Sequence, residues 1–331
     1  MSKYLVIQTA FIGDVILATP VLEQIKKHLP AAQIDILVRK GNEKLLQNHP
    51  FINQVIVWNK QENKYRELLR LIKTIRKEQY YAVINIQRFG ATGLLTSLSG
   101  AKLKLGFRKN PFSLFFTHRF KHEIDNGKHE VERNLSLLTP LFIPTSQKPV
   151  LYPSESDFQY VEAYKKNDYI CIAPTSVWFT KQFPAEQWCA FINQLPEDLQ
   201  VYLLGGPDDQ AACAQIEKES SHKKIDNLAG KLGFLQTTAL LKGAAMNYVN
   251  DSAPMHMASA INAPTTAVYC STIPAFGFGP LAETANIVET LENLDCRPCG
   301  LHGYKNCPKG HFNCAKQIAS NQLLEKLKDR A

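Results

Sequence analysis

Three polar loops follow apolar runs of strand length, and they carry the residues best suited to chemistry. In the first loop, residues 10–20 (AFIGDVILATP), Gly13 allows a tight turn and Asp14 opens the next helical segment. Asp14 has two interpretations, a helix N-cap or a carboxylate that acts as a general base. The loop lacks the G-x-G-x-x-G spacing of dinucleotide sites, and the chain has no G-x-x-x-x-G-K-[ST] motif. A dehydrogenase and a P-loop kinase are therefore disfavoured.

The second loop, residues 173–184 (APTSVWFTKQFP), suits a diphosphate. Thr175 and Ser176 offer hydroxyl groups, and Lys181 offers a mobile cation before a helix that begins at Pro184 or just after it. The alternative is that Lys181 is an ordinary surface lysine.

The third loop, residues 250–260 (NDSAPMHMASA), predicts a helix start. Asp251 or Ser252 caps a helix whose first position is Pro254. The backbone N–H groups and the dipole of such a helix end attract phosphate. His256, one turn further, is either a ligand contact or a buried, hydrogen-bonded histidine.

A glycine pair ends another predicted strand, residues 201–206. Gly205 and Gly206 either allow close approach of the backbone to a ligand or make a tight turn. Asp208 and Asp209, which follow, are explained as an acidic helix start more simply than as a metal-binding pair.

The elements that position these loops form a repeated strand–helix pattern. Pairs of this kind, with buried strands, predict α/β domains with parallel sheets. Eight strands are predicted, in the segments 4–9, 34–40, 54–59, 81–86, 169–174, 201–206, 246–250 and 265–270. A helix at about 63–79 places Leu68, Leu69, Ile72 and Ile75 on one stripe.

The length of 331 residues favours two domains. The strand–helix pattern stops at the proline- and serine-rich stretch 144–157 and begins again after it. We therefore predict an N-terminal domain at 1–150 and a C-terminal domain at 151–331. Two such domains would leave a ligand cleft between the carboxyl ends of their sheets. The final amphipathic segment, 318–327, either stays with the second domain or packs back on the first.

The net charge of +8 favours anionic ligands or surfaces. Basic residues interleaved with phenylalanines form either a solvated face over a core or a surface for phosphate or lipid headgroups. They are Lys102, Lys104, Arg108, Lys109, Arg119 and Lys121, with Phe107, Phe112, Phe115 and Phe116. No nucleic-acid-binding motif occurs, so a nucleic-acid partner is disfavoured.

The N-terminal apolar stretch is broken by Gln8, Gly13, Asp14 and Pro20, and no run reaches the roughly 18 to 20 apolar residues of a membrane span. We therefore expect a cytoplasmic protein.

The loops, in this order and at these separations, resemble those of glycosyltransferase family 9, the heptosyltransferases. The motifs are GDVILATP, PTSVWFTKQFP, LLGGPDD, NDSAPMHMASA and CRPCGLHGYKNCP, and the resemblance covers nearly the whole chain. It implies a GT-B fold: two Rossmann-like domains, the first for the acceptor and the second for the nucleotide-sugar. The implied donor is ADP-heptose, and the implied acceptor is the lipid-linked, anionic inner core of lipopolysaccharide. Peripheral contact with the cytoplasmic membrane would follow.

The resemblance also implies residue roles. Asp14 would be the general base of an inverting transfer, with Gly13 beside it on the acceptor side. Thr175, Ser176 and Lys181 would bind the donor phosphates, which makes a metal unnecessary. The nucleotide would contact residues of the later loops, Gly205, Gly206, Asp251, Ser252, Ala253 and His256.

Eight cysteines fall into two groups. Cys171, Cys189, Cys213 and Cys270 lie in apolar segments and are predicted to be buried, reduced thiols. The other four, Cys296, Cys299, Cys307 and Cys314, begin with the C-x-x-C spacing of a zinc site, although the last two are separated by six residues. A structural zinc is one interpretation; the resemblance suggests cysteines without a catalytic metal.

Three functions therefore stay open. One is heptosyl transfer, one is GT-B transfer of another sugar or to another glycan, and one is non-catalytic binding of a nucleotide or glycan.

Overall fold

The computed structural model describes residues 2–60, 63–124 and 126–328. The chain divides into two compact units whose boundary lies between Tyr152 and Pro153. The segment before the boundary is tied to the first unit, since the Val150 N–H donates to Thr19 Oγ1 at 2.9 Å and the Tyr152 hydroxyl donates to Glu23 Oε1 at 2.7 Å.

The first unit contains a six-stranded sheet in the order β3-β2-β1-β4-β5-β6, and every neighbouring pair is parallel. The strands are β1 (Lys3–Ile7), β2 (Gln33–Arg39), β3 (Ile52–Trp58), β4 (Ala82–Asn85), β5 (Leu103–Phe107) and β6 (His118–Phe120). The helices are α1 (Ile12–Ile16), α2 (Thr19–His28), α3 (Lys64–Lys77), α4 (Gly90–Leu98) and α5 (Glu130–Ser136). This is the doubly wound order of a dinucleotide-binding sheet.

The second unit repeats the topology in the order β12-β11-β10-β7-β8-β9, again all parallel. Its strands are β7 (Tyr169–Ala173), β8 (Gln200–Leu203), β9 (Ile225–Asn227), β10 (Met246–Asn250), β11 (Thr265–Tyr269) and β12 (Ala285–Glu289). Its helices are α6 (Glu155–Val161), α7 (Ala185–Ile192), α8 (Gln210–Glu219), α9 (Phe234–Gly243), α10 (Ala253–Ala260), α11 (Asn313–Lys316) and α12 (Ser320–Lys328). The α/β class with parallel sheets is confirmed.

The sequence missed β5, β6, β9 and β12. The strands β6 and β9 have three residues each, β5 is interrupted by Lys104 and Gly106, and β12 has exposed residues at positions 285 and 287. None of the four contains the continuous apolar run by which the eight predicted strands were found, because a strand near the sheet edge has less of its surface buried.

One prediction about packing needs correction. The stripe of α3 that enters the core contains Leu71 rather than Leu69, whose side chain is 60% exposed. The C-terminal helix α12 packs in the core of the second unit, where Leu323 is fully buried and its carbonyl accepts a hydrogen bond from the Tyr248 hydroxyl at 3.1 Å. No helix in the described part of the chain combines the length and apolar character needed to cross a membrane.

Candidate active site

Each sheet reverses its strand order at one point, and open α/β sheets bind ligands beyond the carboxyl ends of the strands at such points. In the first unit the reversal lies between β1 and β4, and the loop after β1 leads to Asp14. In the second unit it lies between β7 and β10. The loops that follow these two strands are the second and third predicted loops, so the topology brings them together.

Asn250, the last residue of β10, holds the second loop against the third. Its side chain is fully buried, and its Nδ2 donates to the carbonyl of Pro174 at 2.7 Å. Its Oδ1 accepts a hydrogen bond from the N–H of Phe183 at 3.0 Å. One amide side chain therefore fixes both ends of the loop that carries Lys181.

Lys181 and Asp251 form a direct ion pair. Lys181 Nζ lies 2.6 Å from Asp251 Oδ2, with side chains only 14% and 9% exposed, respectively. Thr272 Oγ1 donates to the same carboxylate oxygen at 2.7 Å. An ammonium group has three N–H donors, so Lys181 can keep its contact with Asp251 and still donate to phosphate oxygens.

The helix after Asp251 starts one residue earlier than predicted. Ser252 is the N-cap of α10, Ala253 is its first residue, and Pro254 is its second. The Ser252 side chain makes no capping hydrogen bond to the helix, and its hydroxyl lies 3.4 Å from the Asn250 carbonyl. The N-terminus of α10 therefore lies next to the Lys181–Asp251 pair without a side-chain cap of its own. His256 is buried within α10.

Thr175 and Ser176 are half-buried at the start of the loop that carries Lys181. The carbonyl of Ser176 accepts a hydrogen bond from Gln182 Nε2 at 2.6 Å, which closes the loop on itself. Their predicted phosphate contacts stay a prediction.

The glycine pair after β8 makes an internally bonded turn. The N–H of Gly206 donates to Asp209 Oδ2 at 2.7 Å, and a Cβ on Gly205 would lie 2.6 Å from Asp209 Cβ. The Asp209 carboxylate therefore makes its hydrogen bond within the turn that precedes α8. The close approach at Gly205 is to this aspartate, while contact of the turn with a nucleotide stays a prediction.

In the first unit Asp14 is the third residue of α1, and Phe11 is the N-cap. Its Oδ2 accepts a hydrogen bond from the Phe11 N–H at 3.2 Å, so the carboxylate satisfies the helix start without being its cap residue. The interpretation as N-cap was therefore wrong in position. Gly13 lies within the helix rather than in a turn, because only four residues separate β1 from α1.

A buried polar network holds the loop before Asp14. Gln87, which follows β4, donates through Nε2 to Gln8 Oε1, and the same oxygen lies 3.2 Å from the Ala10 N–H. Lys60 Nζ donates to the carbonyl of Thr9 at 2.9 Å. Because side chains from two strand ends and a third loop converge here, the position of Asp14 is fixed by tertiary structure.

The family model described as glycosyltransferase family 9 (heptosyltransferase) matches residues 68–305. The chain belongs to this family. It is 31% identical over 277 residues to lipopolysaccharide heptosyltransferase 3 of Escherichia coli, a match that covers 79% of this chain and 82% of that protein.

Solved structures agree with the fold of this glycosyltransferase. The E. coli ADP-heptose lipopolysaccharide heptosyltransferase II superposes with a TM-score of 0.82 over 99% of this chain and 98% of that one, at 21% identity. The E. coli heptosyltransferase WaaC with ADP superposes with a TM-score of 0.75 over 99% of this chain and all of that one, at 19% identity. The predicted GT-B fold is confirmed.

The cysteine-bearing segment of this family 9 enzyme is bonded to the Lys181 loop. The N–H of Tyr304 donates to Thr180 Oγ1 at 2.7 Å, and the N–H of Thr180 donates to the Tyr304 carbonyl at 3.1 Å. The N–H of Cys299 donates to the Ser271 carbonyl at 2.8 Å. We call residues 296–304 the C-terminal brace, because they support the backbone on which Lys181 stands.

The four clustered cysteines line one cavity of about 230 Å³ together with His311. However, Cys299 Sγ lies 3.2 Å from the Cys296 carbonyl, as a protonated donor would, and burial raises the pKa of Cys314 to about 12. Among the described residues, no group of three or more histidine, cysteine or acidic side chains is arranged to hold a metal ion. A structural zinc therefore stays a prediction that metal analysis of the purified enzyme would test.

Sequence reasoning missed four residues of this region, which are Thr180, Asn250, Thr272 and Arg297. The Arg297 guanidinium donates to three backbone carbonyls at the end of β11 and in the loop after it. Its Nε lies 2.7 Å from the Cys270 carbonyl, and its Nη2 lies 3.3 Å from that of Tyr269 and 2.9 Å from that of Thr272. Asn250 alone had a usable signal, because it is an amide at the last position of a predicted strand.

Proposed function

We propose that the protein is an inverting heptosyltransferase that moves heptose from ADP-heptose to the inner core of lipopolysaccharide. The observation that carries this proposal is the contact between Lys181 and Asp251 beside the N-terminus of α10. Its location, at the strand-order reversal of the second sheet, suits a nucleoside diphosphate. The relative named lipopolysaccharide heptosyltransferase 3 supports heptose as the sugar.

The chemistry needs a base and a stabilised leaving group. Asp14 takes the proton from the acceptor hydroxyl as the oxygen attacks the anomeric carbon, and the bond from that carbon to the diphosphate breaks with inversion. The negative charge that develops on ADP is met by the ammonium of Lys181 and the positive end of α10. Because these groups can neutralise the departing diphosphate, no step calls for a metal ion.

In this proposal the first unit binds the acceptor. Its substrate is an anionic glycan on a lipid anchor, so the enzyme works at the inner face of the cytoplasmic membrane. The net charge of +8 supports an anionic acceptor.

A thermal-shift panel with ADP, UDP, GDP, CMP and NADH tests the donor. A ligand at 100 times its dissociation constant adds about 2.7 kcal/mol to the free energy of unfolding. Stabilisation by ADP, followed by heptose transfer from ADP-heptose to a lipopolysaccharide core acceptor, is the expected result. Preference for another nucleotide would change the donor, and a response to none would contradict the proposal.

A further inference from the structure

A long stretch of the first unit carries charged side chains of positive sign only. Residues 79–122 contain seven lysines and arginines and no aspartate or glutamate. The net charge of the whole chain is +8, so this stretch accounts for nearly all of the net positive charge of the protein. A surface built from it attracts anions over about one Debye length.

The same stretch contains two exposed apolar side chains. Leu114 and Phe115 are 77% and 66% exposed, in a short 3-10 turn (Ser113–Phe115) between β5 and β6. Their neighbours Ser113 and Phe116 are buried, and Phe116 packs so closely on Gly106 that a Cβ there would lie 2.6 Å from its ring. The buried residues Ser113 and Phe116 thus hold the turn against the sheet, and Leu114 and Phe115 are exposed although the turn itself is well packed.

Basic residues lie on both sides of this turn in the sequence, and Ser113 Oγ of the turn donates to the Arg108 carbonyl at 3.1 Å. Arg108 and Lys109 directly follow β5, and Arg119 lies on the adjacent β6, where it pairs in register with Gly106. All three are exposed. We call Arg108, Lys109, Leu114, Phe115 and Arg119 the basic–apolar tip.

The connection that carries the tip begins at the same edge of the first sheet as the loop to the candidate base. Asn110, within the same connection, is buried and donates through Nδ2 to the carbonyls of Gln87 and Phe89, at 3.1 and 3.0 Å. The loop after β4 adds a further exposed pair, Arg88 and Phe89, beside it. Arg108 and Lys109 therefore lie at the carboxyl edge of the sheet, the edge from which the loop to Asp14 also leaves. Leu114 and Phe115 follow further along the same connection, before Thr117, whose N–H donates to the Lys104 carbonyl of β5 at 2.9 Å.

We propose that the basic–apolar tip docks the enzyme on an anionic lipid bilayer, with Leu114 and Phe115 in the headgroup–acyl boundary and the cations on lipid phosphates. The choice of a bilayer as partner rests on the proposed lipid-linked acceptor and on charge complementarity. Each basic residue near an anionic surface contributes about fivefold to binding, and buried apolar side chains add to this.

Vesicle co-sedimentation of the full-length enzyme tests the tip. The wild type should sediment with vesicles of phosphatidylethanolamine and phosphatidylglycerol, and much less with phosphatidylcholine alone. Removing two cations in Arg108→Gln/Lys109→Gln should weaken binding by about 30-fold. Leu114→Ser/Phe115→Ser should weaken it on the order of tenfold or more. The control is Leu291→Ser, because Leu291 is 88% exposed but lies among Glu289, Glu292 and Asp295; it should bind as the wild type does.

Transfer to a delipidated core oligosaccharide in solution separates docking from catalysis. The tip variants should keep wild-type turnover on this acceptor. Equal binding of wild type and tip variants, or a change in oligomeric state without a change in vesicle binding, would overturn the proposal. Loss of vesicle binding in the tip variants of an enzyme that transfers no heptose would leave the docking surface in place and refute the proposed function instead.

Discussion

Replacing Gly303 by alanine tests whether the C-terminal brace positions Lys181. Gly303 has a φ of +74°, and a Cβ there would lie 2.8 Å from Thr180 Oγ1, 3.0 Å from Lys181 Cγ and 3.2 Å from Ser271 Oγ. Gly310 gives a matched control, since its φ is +75° and a Cβ there would have no atom within 4 Å. Both substitutions carry the same backbone strain, and only the first crowds the Lys181 loop.

The shared strain of alanine in the left-handed region costs roughly 1–2 kcal/mol in each variant. Crowding against the buried Thr180 adds about 1–3 kcal/mol at Gly303 alone. For a unit of this size, that difference lowers the melting temperature by roughly 2–4 °C per kcal/mol. If the loop relieves the clash by moving, Lys181 moves with it, and ADP affinity falls about tenfold for each 1.4 kcal/mol of lost contact.

Two measurements on each variant decide the matter: thermal unfolding without ligand, and ADP binding by calorimetry. We expect Gly310→Ala to show the strain alone and to bind ADP as the wild type does. Gly303→Ala should be less stable than this control and should bind ADP more weakly. Equal stability and equal affinity in the two variants would refute the role of the brace.

Three further changes test the site and the fold. Asp14→Asn should lower turnover by about 10²–10⁴-fold with unchanged ADP affinity, because the amide oxygen can still accept the Phe11 hydrogen bond but cannot take a proton; wild-type turnover would exclude Asp14 as the base. Lys181→Met should lower the free energy of unfolding by about 3–5 kcal/mol, since it leaves the buried Asp251 without its cation, and adding Asp251→Asn should restore much of this loss in denaturant unfolding. Burial lowers the pKa of His49 from 6.5 to about 4. Between these two pH values the unfolded chain binds a proton at His49 that the folded chain does not. The free energy of unfolding should therefore fall as the pH is lowered through this range, by at most about 1.4 kcal/mol per pH unit. Denaturant unfolding from pH 7 to 4 should show a flatter profile for His49→Gln but not for the exposed His118→Gln, and unchanged slopes in both would contradict this assignment.

The sequence predicted the buried strands because their apolar runs are local signals. The run at β7 is apolar, β1 is apolar after Lys3, and β10 sets Met246, Tyr248 and Val249 beside two asparagines. The loops after these strands stand out because they are more polar. The missed strand β12 has an exposed, mixed pattern, and its place in the sheet depends on pairing with β11. Pairing with a distant strand leaves no local trace in composition.

Helix starts show the same limit on a smaller scale. The sequence identified Asp14 and Pro254 as helix-start residues by type, and each lies in the first turn of a helix. The predicted position of each residue within the first turn was wrong by one or more residues, because the first residue of a helix depends on where the preceding strand ends. Residue type thus indicated the element, and the length of the connection decided the register.

The sequence by itself determined the α/β class, the identity of the loops after β1, β7 and β10, and the family that those loops resemble. Only the tertiary structure decided that Lys181 contacts Asp251, that Asn250 joins the two loops, and that Tyr304 supports them from 124 positions further along the chain than Thr180. Apolar periodicity is a property of neighbours in sequence, whereas these contacts join residues that approach one another only after the second unit has folded.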